Sequence, residues 1–115
     1  MKRSKKKLTN RKGANIVTGI EWYSSEQWAE LRRVVSDPEE VEATYEDWQA
    51  VLQRTVPDFI KAGNKLVKVP VDVTELVSWC RQRGKRIDAD ARAQFVVEAL
   101  RHSGASSFET ITIDT

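Results

Sequence analysis

Lys65–Arg101, KLVKVPVDVTELVSWCRQRGKRIDADARAQFVVEALR, is the stretch whose reading decides the fold. It opens with a short run of Leu66, Val67, Val69 and Val71, mostly β-branched and broken by Pro70, which suits a strand that lacks one ladder donor. Asp72 then stands as an N-cap with Glu75 three residues on, the pattern of a capping box. Val73, Leu76, Val77 and Cys80 follow at i, i+3, i+4 and i+7, so they share one helical stripe. Gly84 ends that helix where a left-handed residue is needed. Asp88 caps the next one, whose stripe is Ala91, Phe95, Val96, Ala99 and Leu100. The unit is strand, helix, helix.

Working upstream, Gly63-Asn64 is a stop signal for a long helix. Asp37-Pro38-Glu39-Glu40 places an N-cap, a proline at N1 and a glutamate at N3, which predicts that this helix starts there. Val41, Tyr45, Trp48, Leu52, Val56 and Phe59 then recur in steps of three and four, keeping one face apolar. Pro57 removes one backbone donor and crowds the carbonyl of Gln53, which predicts a kink or a break near residues 54–56. Further back, Ser24 caps a helix over 25–36, with Gln27 at N3 for a capping box and Tyr23 stapling onto Trp28. Trp28, Leu31 and Val35 form its buried stripe, and Arg32 and Arg33 are expected to face solvent. Ile16–Trp22 has strand composition, with Gly19 marking a bulge or a close approach.

Downstream, residues 102–107 (HSGASS) end the last helix. FETITIDT, 108–115, alternates threonine with isoleucine and reads as an edge strand or a tail. A lone strand cannot satisfy its own backbone groups. The 65–71 strand is therefore expected to pair within the chain, first with 16–22. The class is α+β: a helix-dominant single domain of about four helices over 15–103, with a two- or three-stranded sheet.

Charge divides the chain unevenly. Lys2, Arg3, Lys5, Lys6, Lys7, Arg11 and Lys12 give residues 1–13 seven positive charges and no acid. Twelve Lys/Arg against seventeen Asp/Glu leave residues 14–115 at −5. Without apolar periodicity, residues 1–14 are expected to be a disordered basic tail. One cysteine excludes an internal disulfide and fits a reducing, cytoplasmic setting. No apolar run approaches a membrane span and no h-region follows the basic start, so neither membrane nor signal is expected.

The residues that could carry chemistry have simple structural explanations. Cys80 lies on an apolar stripe, where a free thiol behaves as a small hydrophobe. His102, the sole histidine, sits in a last helical turn, where it meets terminal carbonyls. Glu39–Glu40 and Asp88–Asp90 serve helix starts, and Glu46–Asp47 face water. No catalytic residue, metal ligand or cofactor site is assigned. The aromatic set Trp22, Tyr23, Trp28, Tyr45, Trp48 and Trp79 is heavy for this length. It reads as a core of large rings, each with a partner for its polar edge, or as an aromatic-lined groove. Trp22, Tyr23, Trp48 and Trp79 are the candidates for contact with a partner, and Trp79, one position off its stripe, is the best candidate anchor.

Two resemblances follow. The pattern W-Y-S-x-x-Q-W of Trp22–Trp28, with VPVDVTELVSWC ending at Cys80 and D-x-x-A-R-A-x-F over Asp88–Phe95, resembles small uncharacterised bacterial proteins across about residues 20–101. It implies no activity, cofactor or site residue. The order strand–helix–turn–helix over 65–101 is similar to ribbon–helix–helix DNA-binding proteins, in which strands from two protomers pair and enter the major groove. That resemblance implies a dimeric regulator contacting nucleic acid through Lys65, Lys68, Arg81, Lys85 and Arg86, with Lys5, Lys6, Lys7, Arg11 and Lys12 as an electrostatic arm. Against it stand Pro70, the apolar strand face and the longer turn at 85–87. The first expectation is thus a small non-enzymatic interaction protein, monomeric, binding another protein through an aromatic-edged surface. The DNA regulator is the alternative.

Overall fold

The computed structural model describes residues 16–112. In chain order these form β1 (Ile16–Trp22), α1 (Ser25–Val34), a 3-10 turn at Pro38–Glu40, α2 (Tyr45–Lys61), β2 (Asn64–Pro70), α3 (Val73–Gln82), α4 (Ala89–Ser103) and a 3-10 turn at Ala105–Ser107. The basic tail, with Lys5, Lys6, Lys7, Arg11 and Lys12, lies outside the described residues, as do 113–115.

β1 and β2 pair in parallel, in register from Ile16 opposite Asn64 to Trp22 opposite Pro70. Parallel strands need a long crossover, which α1 and α2 supply. Pro70 falls on the last rung, so its missing N–H interrupts no interior ladder bond, and Val71 N–H donates to Trp22 O at 2.9 Å just beyond it. On the other edge of β2, Lys68 N–H donates to Glu109 O and Ile111 N–H to Leu66 O, both at 2.8 Å, around an antiparallel bridge between Val67 and Thr110. Among its described residues, the FETITIDT segment thus covers this edge at Glu109–Ile111. β2 therefore pairs within the chain, along its whole length with β1 and at Leu66–Lys68 on its other edge.

The sheet lies between helices. Val67 and Val69 are buried against Val96, with Ala99, Leu100 and Phe108 packed around them. α2 covers the opposite face, and its Trp48 meets Trp22 edge-on. Beyond the end of β2 the main core gathers Val71, Val73, Leu76 and Cys80 with Trp28, Leu31 and Val41. Gly19 marks a close approach: a Cβ there would sit 2.6 Å from Val96 Cγ1, 2.9 Å from Leu100 Cδ1 and 3.0 Å from Val69 Cγ2. Gly19→Ala is therefore expected to destabilise the fold by about 1–3 kcal/mol, through over-packing. Urea unfolding should show a lower midpoint with unchanged slope, and an unchanged midpoint would refute the tight contact.

Local signals place most helix ends. Ser24, Asp72 and Asp88 each accept from the backbone N–H three residues on. Gly84 takes φ +65° after α3, as a left-handed cap requires. Tyr23 and Trp28 meet edge-on with centroids 5.4 Å apart, the anticipated staple.

Four expectations are corrected. Gln27 does not complete a capping box in α1; its Oε1 accepts from Val73 N–H at 2.7 Å and so caps α3 instead. The long helix begins at Tyr45 under a Thr44 cap, not at Pro38. Asp37 is diverted to Ala89 N–H and Arg92, while Arg32, rather than facing solvent, holds the carbonyls of Val41 and Glu42 at 2.9 and 3.2 Å. Those carbonyls are thereby turned to a side chain. Finally, of the kink or break expected at Pro57, the break does not occur, since α2 is continuous from Tyr45 to Lys61. The carbonyl Pro57 orphans belongs to the exposed Gln53, where water can serve it, while buried Trp48 and Val56 hold the helix on either side.

Candidate functional site

β1 has one edge on β2; its other edge has no strand partner among the described residues. An edge strand carries a row of backbone donors and acceptors without ladder partners, a template for another strand. Here that edge opens into a groove of about 560 Å³ running from Val17 to Glu21. α4 forms one wall with Arg92, Ala93, Val96, Val97 and Leu100, and Trp28, Leu31, Val41 and Trp48 form the rest with Tyr23.

The groove has two chemically distinct ends. Leu100 and Val96 lie against Gly19, and Val17 and Val97 are 36% and 46% exposed, unusually open for valines beside a core. The other end is charged. There Arg92, its side chain only 7% exposed, reaches Glu21 Oε1 at 3.5 Å and Asp37 Oδ1 at 3.0 Å. Tyr23 Oη donates to Glu21 Oε1 at 2.5 Å. Glu40 and Glu42 complete the lining at this end.

Electrostatics follow from burial. Glu21 is raised above its ordinary value because desolvation outweighs the Tyr23 hydrogen bond and the attraction of Arg92. Burial also raises the Tyr23 hydroxyl, reinforced by the adjacent Glu21 charge and hydrogen bond, so the phenol stays protonated as the donor. At Asp37 burial pushes upward, but the hydrogen bond and charge of Arg92, with Ala89 N–H, more than offset it and the carboxyl is lowered. Arg92 stays firmly charged, its burial offset by the hydrogen bond to Asp37 and by both carboxylates. The cluster fixes α4 to β1 and to the Asp37 turn. It carries no nucleophile.

The candidate partner-contact residues separate. Tyr23 and Trp48 are buried at 2% and 7% exposure. With Trp22, Trp28 and Tyr45 they make a core centred on Trp48, of which Tyr23, Trp28 and Trp48 form the inner wall of the groove. Trp28 corrects the expectation that every ring finds a polar partner, since its indole N–H is buried without an acceptor. Trp22 is half-buried under Lys68, whose Nζ lies 4.7 Å from the ring centroid. Trp79, also half-buried, packs edge-on against Phe95, beneath Arg83 and within 3.3 Å of Glu98, so its face is covered within the chain. Cys80 is buried, and burial raises its thiol.

The described candidate nucleic-acid residues lie on β2 and around the α3–α4 turn. Lys68 pairs with Glu109 at 3.3 Å, Lys65 is exposed on β2, and Arg81, Lys85 and Arg86 are exposed around the α3–α4 turn. The sequence reading missed Val17, Glu21, Glu40, Glu42, Arg92 and Val97 as a set. Two signals were available: Arg92 falls on the α4 stripe at i−4 from Val96, and Phe95-Val96-Val97 is a longer apolar run than one helical face can hide.

Among the described residues no helix is long and apolar enough to cross a membrane. Comparison with protein-family models, with curated proteins and with solved structures finds no match to this chain.

Proposed function

We propose that this chain is a non-catalytic interaction protein that accepts an extended segment of another protein along the open edge of β1. The observation that carries this reading is the coincidence of a parallel-sheet edge without a strand partner among the described residues and an apolar groove flanked by exposed Val17 and Val97. Main-chain hydrogen bonds to the edge supply affinity, and alternate side chains of the guest enter the groove, the mode of strand addition. Parallel sheets are ordinarily covered on both faces and closed by neighbours, so an edge left beside an apolar groove invites such a partner. This reading keeps the protein partner and moves the contact from a tryptophan-edged surface to a groove whose inner wall includes Tyr23, Trp28 and Trp48.

The test uses the full chain and a neutral eight-residue peptide of alternating threonine and valine, capped at both ends. Amide shifts are expected at Val17–Glu21 and along Ala93–Leu100. Val97→Glu, a surface change with little effect on folding, should weaken binding at least about tenfold by burying a charge against the guest. Phe59→Glu, at the 50% exposed Phe59 on α2, should leave it unchanged. Shifts elsewhere, or equal loss from both variants, would refute the reading.

A further inference from the structure

We infer that the segment accepted along β1 is cationic at the end that passes Glu40 and Glu42, and apolar where it passes Val17 and Val97. This rests on the strand-accepting reading above and specifies the chemistry of its guest.

Charge is distributed along the groove in one sense only. Of the residues lining it, Glu21, Glu40 and Glu42 are acidic and Arg92 alone is basic. Arg92 is not free to meet a guest, because Asp37 and Glu21 already hold it at 3.0 and 3.5 Å. Arg32 lies close by, but its guanidinium is turned to the backbone carbonyls of Pro38, Val41 and Glu42. Counting these two cations against Glu21, Asp37, Glu40 and Glu42, the charged end is net negative. Glu40 is exposed and Glu42 half-buried, and neither has an ion-pair partner among the described residues. A strand laid on β1 toward Tyr23 therefore brings its terminal side chains beside unmatched carboxylates in a partly desolvated setting, where lysine or arginine is favoured and an acid repelled.

A second copy is a distinct guest. Its β1 carries one charged side chain, Glu21, which would repeat an acid in the groove, while seven positive charges on residues 1–13 precede that strand, so the oligomeric state is measured alongside peptide binding. At the opposite end the walls are Val17, Val97 and Leu100, which reward an apolar residue. The guest is thus polarised, and its polarity fixes the register in which it lies.

The experiment compares the neutral Thr/Val peptide with versions carrying three lysines or three glutamates at one end, each made in both chain directions. For one direction, the lysine peptide should bind the full chain about three- to tenfold more tightly than the neutral peptide, a difference suited to rim charges and reduced by added salt. The glutamate peptide should bind more weakly. In Glu40→Gln/Glu42→Gln the lysine advantage should vanish while the neutral peptide keeps its affinity. Equal binding of lysine and glutamate peptides, or an advantage that survives the double variant, overturns the inference while leaving strand acceptance standing. Binding of none overturns both. Doubling of mass with concentration, accompanied by amide shifts at Val17–Glu21, would name a second copy as the guest and overturn the inference as well.

Discussion

Trp48→Ala is expected to lower the free energy of unfolding by about 3–5 kcal/mol, in the range for deleting a buried large aromatic side chain. Its indole is where five rings meet. Trp28 stacks on it at 5.2 Å between centroids, Trp22 and Tyr23 approach edge-on at 5.4 and 5.7 Å, and Tyr45 lies tilted at 5.5 Å. These rings come from β1, α1, α2 and the turn before α1, so the deletion removes a contact shared by the crossover and the sheet. Alanine leaves a cavity between stiff rings that cannot collapse without moving a backbone. A domain of this size has only about 5–15 kcal/mol in total, so the variant should be near its unfolding threshold at ambient temperature. Urea unfolding and near-ultraviolet circular dichroism measure the loss. Trp48→Phe should recover much of it by keeping an aromatic face. A loss below about 1.5 kcal/mol for the alanine variant would show that the cluster is not a packed unit.

Arg92→Ala is expected to be about as damaging, at about 3–5 kcal/mol, for an electrostatic reason. Removing one member of a buried ionic cluster leaves the remaining charges desolvated and unmatched. Here the members left behind are Asp37 and Glu21, with side chains 14% and 31% exposed. The pH dependence has a definite sign. The folded carboxyl of Asp37 is held below its ordinary value, although burial alone pushes it up, because Arg92 and Ala89 N–H outweigh burial. Its contribution is present above the unfolded aspartate value and is lost as pH falls through the folded one. Glu21 acts oppositely: burial raises it above 4.5, so protonation favours the fold as pH falls through its folded value toward 4.5. Without Arg92 both carboxyls lose their cation and both rise. The deficit of Arg92→Ala should therefore be greatest near neutrality and narrow as the pH is lowered toward 4.5. Unfolding at the two pH values tests this, and Glu21→Gln in the Arg92→Ala background should recover part of the neutral-pH loss. A deficit independent of pH would assign the effect to packing of the arginine stem instead.

The amino-acid sequence by itself determined what chemistry within about two helical turns can determine. Ser24, Asp72 and Asp88 cap their helices, Gly84 closes α3, Tyr23 staples onto Trp28, and Val73, Leu76 and Cys80 face inward on one stripe. These choices need no distant partner, so the spacing of residue types contains them. The strand composition of 16–22 and 64–70 was legible for the same reason. Their parallel direction was not, because it depends on how two intervening helices return the chain. Helix starts failed where a distant group competed for the same side chain. Asp37 caps nothing of its own because Ala89 N–H and Arg92, 52 and 55 residues away, take both of its oxygens. Gln27 leaves its own helix to cap one 46 residues on. The groove is wholly a product of tertiary structure. Among the described residues it exists because β1 meets β2 on one edge only, and because α4 crosses the sheet with Arg92 locked to Glu21 and Val96 against Gly19. Val17, Val97, Glu40 and Glu42 are ordinary residues in their own segments. Only the tertiary packing around β1 brings their apolar and acidic side chains together, along an edge with no strand partner among the described residues.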